Sequence, residues 1–245
     1  MDNQIDIIRT STSRPEILQV TTDALNKHLK FSGQFRWILH EDVLDKNRFT
    51  NISKACKMYN VMSFNDPPVG LKESMNILLR QTKSKYVLNI EDDWRLLRDI
   101  EIDPLIEIME NNEDINQVAF HKRPIGAYKN YGSLRFKKRE VERDGIPLVT
   151  NMFWTVIPSI FRKSFVVDVF DEWPWPGRIS TTFNDLLRQK HDGPDREHIT
   201  TEWVMKNLGT YYLGKINEGF YFQHLGYKPY EPEKWEWPLA FPKEY

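Results

Sequence analysis

Three consecutive carboxylates, Glu91, Asp92 and Asp93, close a short apolar stretch and are the residues of this chain best suited to chemistry. Side by side they repel one another unless a cation joins them. Carboxylate oxygens suit hard divalent cations such as magnesium or manganese, which keep water and phosphate oxygens among their ligands. A cation held this way can clamp a diphosphate and stabilise the charge developing on it as a leaving group. On a solvated turn the same residues would do nothing of the kind, so their meaning depends on the elements that place them.

The stretch Gly70 to Trp94 supplies those elements. Leu71, Met75, Leu78 and Leu79 fall at the offsets of one helical face, with Lys72, Asn76 and Arg80 opposite. Pro67 and Pro68 cannot continue that helix backwards and mark its start. After a turn at Lys83 to Lys85, Tyr86 to Ile90 reads as a short buried strand. The acids follow at its carboxyl end, where open α/β sheets place their ligands. Upstream, strands are expected at Ile5–Thr10, Phe35–Leu39 and Asn60–Phe64, and helices at Glu16–Leu29 and Asn47–Lys57. That alternation predicts a mostly parallel sheet flanked by helices.

Downstream, Asp103-Pro104 predicts the cap and first position of a helix to about Asn111, and Asn116–Phe120 a strand. His121 to Gly145 is basic and glycine-punctuated, a solvated excursion or hairpin or else a contact for a negatively charged ligand. A strand is expected at Asn151–Ile157, and helices at Ser164–Asp171, Thr181–Gln189 and Thr201–Leu208, the last closed by Gly209. Tyr211 to Phe222 reads as sheet ending near His224, and Tyr227 to Tyr245 as extended, proline-rich chain. There is no internal repeat and no evident domain boundary.

The bulk numbers narrow the classes. The 245 residues suit one large domain or two intimately joined halves, and 34 Lys and Arg against 35 Asp and Glu give a net charge of −1. Near-neutrality gives no general attraction for nucleic acid or anionic membranes. The single Cys56 excludes an intramolecular disulfide and a cysteine-based zinc site. No transmembrane segment and no signal peptide are read, which points to a cytoplasmic protein. A phosphate loop, a GxGxxG turn, HExxH and GxSxG are all missing, which argues against P-loop, dinucleotide-dependent, zinc-protease and α/β-hydrolase chemistry.

The block from Gly70, through Asn76, the Lys83–Lys85 turn and the Tyr86–Ile90 strand, to Glu91-Asp92-Asp93 resembles glycosyltransferases of the GT-A fold, above all the family-2-like group. Asp103-Pro104-Leu105 and the strand at Asn116–Phe120 continue the likeness, which covers roughly residues 5 to 122. The resemblance implies a single α/β domain with a Rossmann-like sheet. Residues 1–122 would hold a nucleotide-sugar donor, and residues 123–245 a glycan or other hydroxyl acceptor. It implies that Thr10, Ser11 and Arg14 line the nucleotide, that Asp42 approaches base or ribose, and that Glu91 and Asp92 belong to the donor site. Asp93 and His224 would ligate a divalent metal, manganese or magnesium, and Glu202 would be the base of an inverting transfer. Glu91 stands where the family usually has aspartate, and Asn89 interrupts the apolar strand. For these residues the structural alternatives are loop polarity, surface ion pairs, a packed histidine and an acid at a helix start. Trp154, Trp173 and Trp175 could form a sugar platform or simply pack in the core. Two other functions remain open, a nucleotidyltransferase and a non-catalytic carbohydrate-binding module on the same fold.

Overall fold

The computed structural model describes residues 4–45, 57–120, 139–150, 158–164, 209–216 and 221–225. The expected elements at Asn47–Lys57, Asn151–Ile157, Ser164–Asp171, Thr181–Gln189, Thr201–Leu208 and the tail lie wholly or mostly outside them.

The first strand, β1 (Gln4–Ser11), is buried along all but its first residue, as befits a strand covered on both faces. Helix α1 (Pro15–His28) follows, with proline in its first turn, where the missing N–H costs nothing. Then come β2 (Leu29–Lys30), β3 (Gln34–Asp42), β4 (Val61–Asn65), α2 (Gly70–Gln81) and β5 (Tyr86–Asn89). The chain continues through β6 (Trp94–Leu96), β7 (Ile100–Glu101), α3 (Ile102–Asn111), β8 (Gln117–Ala119), β9 (Arg139–Arg143), β10 (Ile146–Thr150), β11 (Ser159–Arg162), β12 (Thr210–Leu213) and β13 (Phe222–His224).

Nine strands form one sheet in the order β4-β3-β1-β5-β11-β8-β12-β10-β9. The expected mostly parallel sheet is mixed. Four neighbour pairs are parallel, three of them joining β4, β3, β1 and β5, and four are antiparallel. The reason is local. Strand β11 inserts antiparallel between β5 and β8, and β9 and β10 form a hairpin whose turn residues Asp144 and Gly145 both have positive φ.

Alternation along β1 divides the core between the two faces. Ile5 and Ile7 join Leu18 and Leu25 of α1, with Leu39 and Leu88. Ile8 joins Ile38, Val87, Phe161 and α2's Met75, Leu78 and Leu79. Leu71, expected on that apolar face, is 40% exposed at the open first turn of α2. Helix α3 starts at Ile102, before the expected Asp103 cap, and the Asp103 carboxylate instead accepts the Ser32 backbone N–H at 2.9 Å. Tyr211 to Phe222 does not form continuous sheet either. Strand β12 ends at Leu213, and β13 pairs antiparallel with β6 in a separate two-stranded ribbon.

Candidate functional site

Strands β1 and β5 lie parallel with Ile8 opposite Asn89, so three residues further on Ser11 comes level with Asp92. The Asp92 N–H donates to the Thr10 carbonyl at 3.0 Å, and the Ser11 hydroxyl reaches Asp92 Oδ2 at 3.1 Å. Arg14, the residue before α1, grips the same carboxylate. Its Nε donates to Asp92 Oδ2 at 3.1 Å and its Nη2 to Oδ1. Arg14 Nη1 also donates to Asp93 Oδ2 at 3.0 Å. The cation required by the three acids is thus partly supplied by the chain itself. This buried fork on paired carboxylates was not legible from sequence, where Arg14 reads as a nucleotide-lining residue or as one side of a surface ion pair.

The β6–β13 ribbon closes the other side. Its register sets His224 opposite Trp94, with ring centroids 4.7 Å apart, and the Leu225 N–H donates to the Asp93 carbonyl at 2.8 Å. His224 Nε2 then stands 3.2 Å from Asp93 Oδ2. Glu91 Oε2 accepts the Trp94 indole N–H at 2.9 Å.

The electrostatics follow from burial and these contacts. Burial would weaken the Arg14 charge, but Asp92 and Asp93 outweigh it and raise the guanidinium above its ordinary value. Burial pushes the Asp92 carboxyl up, against Arg14. It acts the same way on Asp93, where His224 and Arg14 prevail and hold the carboxyl below its ordinary value. Burial and the adjacent Asp93 push Glu91 up to about 7.

Of the expected site residues, Ser11, Arg14, Asp92, Asp93 and His224 meet through side-chain contacts, with Thr10 joined by its backbone and Glu91 adjoining. Asp42 is turned elsewhere. Its two oxygens accept the Val69 and Gly70 backbone N–H groups at 3.1 and 2.7 Å, at the start of α2. Glu202 and the three tryptophans, Trp154, Trp173 and Trp175, lie outside the described residues.

Sequence reasoning missed Glu41. It is paired with Ser11 in the β1–β3 register, fully buried, and accepts the Ser13 N–H through Oε1. Oε2 has no hydrogen-bond partner among the described residues. Burial, against Ser11 and Ser13, pushes its carboxyl up to about 7. The available signal was the period of two, which puts Glu41 rather than Asp42 on the face shared with Ser11.

Among the described residues no three Asp, Glu, His or Cys side chains are grouped to hold a metal ion. Asp93 and His224 offer one carboxylate oxygen and one imidazole nitrogen. That pair suits manganese better than magnesium, with the remaining positions left to water or phosphate oxygens.

No protein-family model matches the chain, and no curated protein matches it in sequence. Solved structures do. The S. aureus TarS fragment 1–349 in complex with UDP superposes with a TM-score of 0.53 at 13% identity, covering 89% of this chain and 59% of that one. Its complex with UDP-GlcNAc gives the same TM-score and identity, over 89% and 57%. TarS is a GT-A-type glycosyltransferase. The fold is the GT-A glycosyltransferase fold. A mannosyltransferase from Pyrobaculum calidifontis, in complex with GDP-Man and Mn2+, is less similar, with a TM-score of 0.48 at 10% identity over 67% of this chain and 46% of that one. The chain spans less than two thirds of the length of each of these proteins. Within the GT-A fold, the cluster just described occupies the carboxyl edge of the parallel strands, the usual ligand edge of an open α/β sheet.

Proposed function

We propose that the chain is a glycosyltransferase that moves a sugar from a nucleoside-diphosphate donor to a hydroxyl acceptor. The observation that carries this reading is the convergence of Ser11, Arg14, Asp92 and Asp93 at the carboxyl ends of two parallel strands. Arg14 offers a planar fork that suits phosphate as well as carboxylate. Glu41 adds a buried carboxyl beside Ser11 at the same edge. Asp93 and His224 would hold a divalent metal, which when bound would neutralise diphosphate charge. In the transfer an acceptor hydroxyl oxygen bonds to the anomeric carbon. The bond from that carbon to the diphosphate oxygen breaks, its electron pair leaves with the nucleotide, and the hydroxyl proton passes to a base. Glu202 is proposed as that base, with inversion of the anomeric centre. Residues 1–122 are proposed as the donor half and 123–245 as the acceptor half. No helix among the described residues is long and apolar enough to cross a membrane, and the cytoplasmic placement rests on the sequence.

The test is a thermal-shift screen of nucleotide sugars, UDP-GlcNAc included, with and without manganese, followed by product analysis. A donor at 100 times its dissociation constant stabilises a fold by about 2.7 kcal/mol. Release of a nucleoside diphosphate with sugar transfer is the expected result. Pyrophosphate release from a nucleoside triphosphate would identify a nucleotidyltransferase instead. Metal-independent glycan binding without turnover would identify a binding module.

A further inference from the structure

Arg9 breaks the pattern of its strand. Ile5 and Ile7 point from β1 into the apolar core beneath α1, and the next residue on that face is an arginine with 0% exposure. Arginine is almost never buried so completely unless paired. Among the described residues no carboxylate lies within ion-pair distance of it. The guanidinium is nevertheless fully satisfied, because each of its five N–H donors has an acceptor. Nε donates to the Ile90 carbonyl at 3.1 Å, and Nη1 to Thr22 Oγ1 at 2.6 Å and the Tyr59 hydroxyl at 3.0 Å. Nη2 donates to Thr21 Oγ1 at 2.7 Å and the Glu91 carbonyl at 3.1 Å.

Two of those acceptors are backbone carbonyls of the acid turn. Strand β5 ends at Asn89, and although the Ile90 and Asp92 N–H groups still donate to the Ile8 and Thr10 carbonyls of β1 at 3.1 and 3.0 Å, the carbonyls of residues 90 to 93 rely on side chains and loops. Other elements hold their carbonyls. Arg9 takes Ile90 and Glu91, the Thr21 hydroxyl lies 2.6 Å from the Asp92 carbonyl, and the Leu225 N–H takes that of Asp93. An apolar side chain would fill the same space at less desolvation cost but would hold none of them. A buried charge kept for its geometry belongs where a site must be held rigid.

We propose that Arg9 is a positioning residue for donor binding, a buried fork that fixes the backbone of the acid turn so that Asp92 and Asp93 are presented in one orientation. This rests on the donor-site reading given above. The fully buried guanidinium acts through the turn and through α1, which carries Thr21 and Thr22.

The test compares wild type with Arg9→Met, Arg9→Lys and Thr21→Val, and uses Glu110→Gln, which removes the exposed Lys85 ion pair away from the turn, as a control. UDP binding with manganese is measured by calorimetry, melting temperature by calorimetric scan, and amide exchange at Asp92 and Trp94 by mass spectrometry without nucleotide. Arg9→Met is expected to exchange faster at these amides and to bind UDP about 10- to 100-fold more weakly, the scale of lost positioning contacts. Arg9→Lys, which keeps the charge but not the fork, should recover only part of the affinity. Glu110→Gln should bind UDP as wild type does. Should Arg9→Met fail to fold, Thr21→Val carries the same test by freeing the Asp92 carbonyl and one Arg9 donor. Wild-type UDP affinity in a folded Arg9→Met, or in Thr21→Val where Arg9→Met does not fold, would overturn the proposal. So would full recovery in Arg9→Lys, which would show that charge alone suffices. Wild type that binds no nucleoside diphosphate would sink the donor reading instead. The exchange data would then still decide whether Arg9 holds the turn.

Discussion

From β4 to β5 every neighbour runs parallel, so these strands share one carboxyl edge, whereas from β11 to β9 parallel and antiparallel neighbours mix. The buried polar groups divide in the same way. Asp6, Arg9, Arg14, Glu41, Asp42, Asp92 and Asp93 are all buried in or beside the parallel half. On the strands of the mixed half the buried polar side chains are neutral, Gln117, Ser159 and Thr210. These three satisfy one another, with Gln117 Nε2 donating to Ser159 Oγ at 2.9 Å and the Thr210 hydroxyl to Gln117 Oε1 at 3.2 Å. A shared carboxyl edge lets residues from successive strands meet. Alternating directions scatter strand ends to both edges and leave the interior to neutral pairs. Charge is costly to bury, and it is concentrated where strand topology gives it partners.

Breaking the charged half should have the largest effect. Arg14→Met leaves Asp92 and Asp93 buried without their guanidinium, and loss of one member of a buried pair costs about 3–5 kcal/mol. Chemical denaturation should show that loss, and calorimetry should show UDP affinity falling with it. A variant of near-normal stability and affinity would mean that the fork contributes nothing to either half of the argument.

The second effect is a pH dependence carried by Glu41. Its folded value, about 7, lies above its unfolded value, so the folded state binds the proton more tightly. The stabilisation is therefore full below about pH 4.5, the ordinary carboxylate range, and is lost as pH rises through about 7. Glu41→Gln keeps the shape and cannot ionise, so its melting temperature should fall less than that of wild type between pH 5 and 8. Parallel curves for the two proteins would count against a protonated, buried Glu41.

Gly209 tests the neutral half. It has φ +54, and an added Cβ would lie 1.9 Å from the Asp114 backbone carbonyl oxygen. Gly209→Ala should destabilise by about 1–3 kcal/mol from backbone strain alone. In the folded fraction UDP affinity should stay as in wild type. A large fall in affinity there would mean that the two halves are energetically coupled.

The fold of the parallel half was legible because its signals are periodic and long. Helices α1 and α2 and strands β1, β3 and β5 follow from apolar spacing, and the acids were correctly placed at the end of β5. The short strands β6, β7, β10 and β11 were not legible. They have two to five residues each and exist because of distant partners. The same limit applies within the site. The resemblance assigns Arg14 and the acids to one donor site, but the β1–β5 register decides that they touch. Sequence also shows three polar residues ending β3 without showing which one faces Ser11.

That last distinction gives the smallest and most discriminating prediction. Asp42 and Glu41 are neighbours at one strand end, yet alternation sends them to opposite faces. Glu41 faces Ser11 and Ser13. Asp42 accepts two backbone N–H groups at the start of α2, with His40 Nε2 3.5 Å from its Oδ1. Groups at a helix start that lose such an acceptor become exposed donors, and the usual cost is about 1 kcal/mol. Asp42→Ala should therefore lower stability by about that amount and leave UDP affinity within about twofold, since RT ln 2 is only about 0.4 kcal/mol. Asp42→Asn, which keeps one acceptor oxygen, should lose less. If Asp42→Ala instead kept its melting temperature and lost nucleotide binding, the β3 acid that meets the donor would be Asp42. The Glu41 reading and the division between the two faces would then fall together.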